Sequence, residues 1–134
     1  MPSRHFTRHE ANALLERIRP LTERLVAHRR SLVDAQRERV ALTMRVAGNG
    51  SGFDAGVLAR LDERIAKELA GVAQSVNAIH ELGAVVKDAD SGLVDFPAFI
   101  EGAEAFLCWQ LGEDEIEYWH GLDDGFAGRK PIDP

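Results

Sequence analysis

The sequence predicts an α+β fold: a long, coiled-coil-like antiparallel helical hairpin followed by a small antiparallel β-meander of three or four strands. Three observations predict it. Two apolar stripes repeat at helical spacing. A glycine-rich pentapeptide, Gly48 to Gly52, lies between them. After Gly83 the pattern changes to short β-branched and aromatic runs separated by turn residues.

The first helix is expected over residues 6–47. Thr7 and Glu10 have capping-box spacing, in which each side chain satisfies the other's amide. Leu14, Ile18, Leu21, Leu25, Leu32, Val40 and Met44 form its apolar stripe. His28 falls in the same stripe and reads as a partly buried packing residue rather than a ligand. Pro20 lacks an amide proton and crowds the preceding turn, so a kink or break is expected near Glu16–Arg19. Gly48–Gly52 ends the helix, because glycine and asparagine tolerate the positive φ of a helix exit.

The second helix is expected over 52–83, capped by Ser51 or Asp54. Its stripe is regular: Leu58, Leu61, Ile65, Leu69, Val72, Val76, Ile79 and Leu82. Gly83 suits the residue that follows its C-terminus. Helices of about 40 and about 30 residues would measure roughly 60 Å and 45 Å. Two helices alone cannot bury both stripes, so the sheet, a second copy of the chain, or both must cover them.

The meander is expected over 84–120. AVVKD, LVDFPAF, EAFLCWQL and EIEYWH read as strands, with turns at DADSG, IEGA and GEDE. Pro97 points to an edge strand or a bulge, because it cannot donate to a ladder. Residues 121–134 read as a surface loop. All 134 residues fit one domain.

Composition narrows the function classes. No apolar run reaches the roughly 18 residues of a membrane span. The start, MPSRHFTRHEANALL, has no apolar core of a signal peptide. A single cysteine forms no internal disulfide, which suggests a reducing, cytoplasmic setting. The net charge of −6 is unevenly spread. Residues 1–50 carry ten arginines and five acidic residues, whereas residues 88–134 carry two basic and twelve acidic residues. The basic segment could meet nucleic acid, but the acidic field of the whole chain opposes phosphate binding. Pairing of the basic and acidic halves, within a chain or across a dimer, is the simpler expectation.

LCWQLGEDEIEYWH, Leu107 to His120, concentrates reactive residue types. Pairing Leu111 with Ile116 gathers Leu107, Trp109, Leu111, Ile116, Tyr118 and His120 on one apolar face for the helices. That register sends Cys108 and His120 to opposite faces, and no CxxC or HxxxH spacing supports a metal, so none is expected. A slip of one residue would pair Phe106 with His120 and Cys108 with Tyr118, at the expense of the apolar match. Cys108 as a nucleophile would need nearby positive charge, and its surroundings are acidic. It reads as a small packing residue.

The better polar candidates are Asp95 in an apolar strand, Glu113 in the last turn, His120 closing the last strand and Arg129 among glycines. Asp95 could pair with Arg129, or His120 with a carboxylate, pinning the tail to the sheet. Alternatively Asp95, Glu113, His120 and Arg129 would line a ligand site, with the Arg129 fork suited to a carboxylate or phosphate.

FTRHEAN, GLVDFP, LCWQLGE, IEYWH and GFAGRKP, taken in this order over nearly the whole chain, resemble the bacterial family called Domain of Unknown Function 2203. The resemblance implies that Glu10, Asn12, Asp95, Phe96, Pro97, Cys108, Trp109, Glu113, Trp119, His120, Gly125 and Arg129 belong to a shared pattern. It implies no reaction and no cofactor. The leading functional expectation is a cytoplasmic, homodimeric interaction or scaffold module, with an enzyme the less favoured reading. The alternatives are a small-ligand or metal-binding protein using the four polar residues, and nucleic-acid binding by the arginine-rich first helix.

Overall fold

The structure is a computed structural model, and it describes residues 4–49 and 54–133. Two helices precede a five-stranded antiparallel sheet: α1 Arg8–Asn49, α2 Ala55–Glu81, β1 Val85–Asp88, β2 Leu93–Ile100, β3 Ala103–Gln110, β4 Tyr118–Gly121 and β5 Lys130–Pro131. A single turn of 3₁₀ helix, Phe126–Gly128, precedes β5. The strands pair in sequence order, so the sheet is a simple meander.

The predicted caps form. The Thr7 amide donates to Glu10 Oε1 at 2.9 Å, and the Glu10 amide donates to Thr7 Oγ1 at 3.1 Å. Asp54 caps α2, its Oδ1 accepting the Gly56 amide at 2.8 Å. The other expected cap, Ser51, lies outside the described residues, as do Gly50 and Gly52 of the connecting loop. Gly83 leaves α2 at φ +97°, a left-handed conformation that favours glycine.

Of the kink or break expected at Pro20, the break does not occur: α1 runs through the proline as one helix. Leu15, Ile18, Thr22 and Leu25, on both sides of the proline, are all buried. Packing that face on the sheet holds the two segments in one helix and outweighs one missing hydrogen bond. The Thr22 hydroxyl also donates to the Ile18 carbonyl at 2.8 Å.

The core lies between the sheet and the near half of the hairpin. Phe6, Ala11, Leu15, Ile18 and Leu25 meet Val94, Phe96, Leu107, Trp109 and Ile116, with Ile79 closing from α2. The predicted stripes are only partly used. Val40, Met44 and Leu69 are exposed, while Leu32, Ala35 and Leu42 are the buried residues farther along α1. His28 is partly buried against Gly71 and bonds Glu68 Oε2 through Nδ1 at 2.8 Å.

Pro97 sits in β2, an interior strand, rather than on the edge the sequence suggested. The reason is local. β1 pairs with β2 no farther than Asp95, and beyond it the Phe6 amide donates to the Pro97 carbonyl at 2.7 Å. The proline therefore turns its donorless nitrogen to a part of β2 with no ladder partner. The β2–β3 turn places Glu101 at φ +53° and Gly102 at φ +83°, the two positive values of a type I′ hairpin.

The β3–β4 register is the slipped one. Phe106 pairs with His120, Leu107 with Trp119 and Cys108 with Tyr118. Leu111 and Ile116 do not pair, because residues after Gln110 leave the ladder. Leu111 donates to the Gly92 carbonyl, and Trp109 Nε1 donates to the Glu113 carbonyl at 2.9 Å. Ile116 is bonded to α1: its amide donates to Asn12 Oδ1 at 2.7 Å, and its carbonyl accepts from Arg8 Nε at 2.9 Å. Anchoring Ile116 to the helix, rather than to Leu111, sets the register. Trp109 still faces the helices, but Tyr118 and His120 turn to the opposite face. The tail is also more than a loop, since Lys130 and Pro131 pair with Trp119 and Tyr118.

Candidate functional site

The slipped register brings Asp95, Cys108 and His120 together on the sheet face away from the helices. Asp95 lies directly opposite Cys108 across β2 and β3. His120, opposite Phe106, stands diagonally beside Cys108 across β3 and β4. Three adjacent strands therefore each supply one polar side chain. All three are buried: Asp95 and Cys108 at 0% exposure and His120 at 3%. One potential ligand atom from each residue lies within 4.8 Å of the other two.

His120 Nε2 is 2.8 Å from Asp95 Oδ2, and Nδ1 is 2.7 Å from the Gly121 carbonyl oxygen. A carbonyl only accepts, so Nδ1 carries a proton. Nε2 and Oδ2 then face each other as two acceptors unless a cation, in the simplest case one proton, lies between them. Burial raises the Asp95 pKa, and the facing His120 works against that rise. The other oxygen, Asp95 Oδ1, is buried with no conventional hydrogen-bond partner. Burial, reinforced by the charge of Asp95, pushes the Cys108 thiol up to about 12. That makes it a protonated group rather than a nucleophile. The imidazole also has both nitrogens engaged elsewhere, so it is not placed to take the thiol's proton as a catalytic base would.

A second pair closes the site from the tail. Arg129 Nη2 donates to Glu113 Oε1 at 2.7 Å and Oε2 at 2.9 Å, and contacts the Cys108 carbonyl at 3.4 Å. The guanidinium lies over Tyr118 at 4.1 Å and Phe126 at 4.7 Å. Glu113 Oε1 also accepts the Gln110 amide at 2.7 Å. Arg129 Nε is buried without a partner. On the other side, Lys87 of β1 lies 4.7 Å over the Phe106 ring.

The four residues singled out in the sequence thus form two pairs, Asp95–His120 and Glu113–Arg129. His120 does bond a carboxylate, and Arg129 pairs with Glu113 rather than Asp95. Sequence reasoning missed Cys108, which the favoured register had placed on the far face from His120. The signal was present in the slipped register, whose lower apolar match weighed against it. No helix among the described residues is long and apolar enough to cross a membrane.

Comparison with known proteins yields a family and nothing more specific. No curated protein and no solved structure matches the chain. The profile of the family described as "Uncharacterized conserved protein (DUF2203)" matches residues 4–132, and the chain belongs to that family.

Proposed function

We propose that this protein is a homodimeric interaction module whose docking element is the far half of its helical hairpin. The observation that carries the reading is the exposure of Val40, Met44 and Leu69, at 58%, 69% and 50%, in stripes that are otherwise apolar. The lengths explain why they are uncovered. At 42 residues α1 extends about 63 Å, whereas an eight-residue strand such as β2 spans roughly 27 Å. The main core takes α1 residues no farther along than Leu25, and α2 residues only from Val72 onward. Beyond these points the two helices cover one another and little else.

A second copy of the chain is the occupant that fits. Residues 31–70 carry six basic and six acidic side chains, so this half is neutral although the whole chain is at −6. Two copies meet there without the repulsion that other faces impose. Val33, Val40, Ala41 and Met44 line an apolar groove in α1, flanked by Gln36 and Arg37. Packing two hairpins through such grooves gives a four-helix bundle with two-fold symmetry. A free, buried Cys108 suits a reducing compartment such as the cytoplasm.

The small-molecule and nucleic-acid readings find less support. Asp95, Glu113, His120 and Arg129 are taken up in ion pairs rather than displayed to a small ligand. Several α1 arginines already have surface partners within the chain: Arg29 pairs with Asp90, Arg39 with Asp62, and Arg19 donates to the Asp114 carbonyl. These contacts compete with phosphate binding.

Light scattering on the purified chain tests the dimer. A mass twice that of the chain is expected, and Val40→Glu with Met44→Glu should halve it without loss of helical circular dichroism. A clean monomer at high micromolar concentration would end this reading.

A further inference from the structure

We propose that Asp95, Cys108 and His120 form a binding site for a borderline-soft divalent cation of the Zn²⁺ class. The site lies on the opposite side of the sheet from the helices, so it is independent of the docking surface above.

Four observations meet here. The first is placement: one donor comes from each of β2, β3 and β4, with the ligand atoms within 4.8 Å of one another. A tetrahedral ion with bonds of about 2.0–2.3 Å sets its ligand atoms roughly 3.3–3.8 Å apart, so small side-chain rotations bring the three donors to three of its four positions. The second is the His120 tautomer. Its Nδ1–H is committed to the Gly121 carbonyl, which leaves Nε2 as the nitrogen that faces the cluster, where a metal would take the place of the proton shared with Asp95. Metal-bound histidines are oriented by this kind of bond from the other nitrogen. The third is Asp95 Oδ1, a fully buried carboxylate oxygen that no N–H or O–H donor reaches; besides His120, the side chain that approaches this carboxylate is the Cys108 thiol, itself a candidate ligand. Oδ1 can fill the fourth position of the ion or bond a water that does.

The fourth is charge. Aspartate and thiolate supply two negative charges and neutral imidazole none, so a dication makes the buried assembly neutral. Without it, a proton must sit between His120 and Asp95 and another on Cys108. Of the neighbouring charges one pair cancels and one cation also acts on Asp95. Arg129 is matched by Glu113, and Lys87 lies over Phe106 at the edge of the cluster. The mixture of thiolate, imidazole and carboxylate also selects the ion's class. Mg²⁺ and Ca²⁺ prefer all-oxygen shells, while Zn²⁺ and Co²⁺ accept sulfur and nitrogen. Full burial of the donors makes the site a structural one, loaded as the sheet forms and holding three strands together.

The test uses the complete chain, without affinity-tag histidines, unfolded and stripped with a chelator under reducing conditions. It is then refolded with Co²⁺ as a spectroscopic substitute for Zn²⁺. One Co²⁺ per chain is expected, with a thiolate-to-cobalt charge-transfer band and displacement by Zn²⁺ but not by Mg²⁺. Cys108 is the single cysteine of the chain, so that band reports on it alone. Cys108→Ser should remove the band, and His120→Gln should weaken binding by at least about tenfold, the smallest loss typical of even second-shell changes. The wild-type spectrum is decisive even if these variants do not fold. Refolded wild-type chain that takes up no Co²⁺, or takes it up without the thiolate band, would overturn the proposal. So would a Cys108→Ser variant that folds and keeps the same affinity.

Discussion

His120 Nε2 and Asp95 Oδ2 meet at 2.8 Å in a part of the sheet where both side chains are almost wholly shielded from water. Each is the principal compensation for burying the other. Removing one partner leaves a polar group without solvent or a counter-charge. Asp95→Ala is therefore expected to lower stability by about 3–5 kcal/mol, the usual scale for breaking a buried pair. Urea unfolding of the metal-free protein measures it, and a loss below about 1 kcal/mol would show that the pair is not coupled as the geometry implies.

Gly71 faces the His28 ring so closely that a Cβ there would lie 2.5 Å from Nδ1. Alanine in mid-helix normally gains up to about 1 kcal/mol over glycine. Here the clash pushes His28 off Glu68 and costs about 1–3 kcal/mol, so Gly71→Ala should destabilise on balance. Adding His28→Ala should recover most of the loss. Thermal unfolding of the single and double variants separates the terms, and additive losses would refute the clash.

Glu101 is the sole non-glycine at positive φ among the described residues. A side chain with a Cβ pays about 1–2 kcal/mol in that region, and asparagine pays least. Asn-Gly is also the preferred pair of a type I′ turn. Glu101→Asn should raise stability by several tenths to about 1 kcal/mol, read as a higher denaturant midpoint at unchanged slope. A lower midpoint would mean that Glu101 makes a compensating interaction.

Glu10 is held below the ordinary carboxylate range, first by the Thr7 amide and then by the Thr7 side chain. Its folded pKa is thus lower than its unfolded one. The associated stability is present above the unfolded value and disappears as pH falls through the folded value. Thr7→Ala removes the side-chain contribution and should move the Glu10 titration part of the way back up, as carbon-detected NMR would show. The helix should lose about 0.5–2 kcal/mol through the missing cap. An unmoved Glu10 titration would mean that the Thr7 side chain has no part in it.

How much was legible in the sequence depended on the range of the interactions involved. The capping box, the Asp54 cap, the Gly83 exit and the Glu101–Gly102 turn are local, each fixed by residues within a few positions of one another. The periodicities of 3.6 and 2 likewise set helix and strand, and the fold class followed from them. Pro20 does not break α1, because its cost is local while the packing that offsets it comes from the sheet.

The β3–β4 register depended on a contact between residues 104 positions apart. Matching apolar residues across the hairpin favoured Leu111 opposite Ile116, but Asn12 and Arg8 of α1 take up both backbone groups of Ile116. Because side chains alternate along a strand, that single displacement turned Tyr118 and His120 to the other face. By itself, the sequence determined two helices, a meander and the four polar residues worth watching. Only the tertiary structure decided that Cys108 joins Asp95 and His120 and that Arg129 closes on Glu113. Strand register is set by long-range bonds that no local pattern encodes.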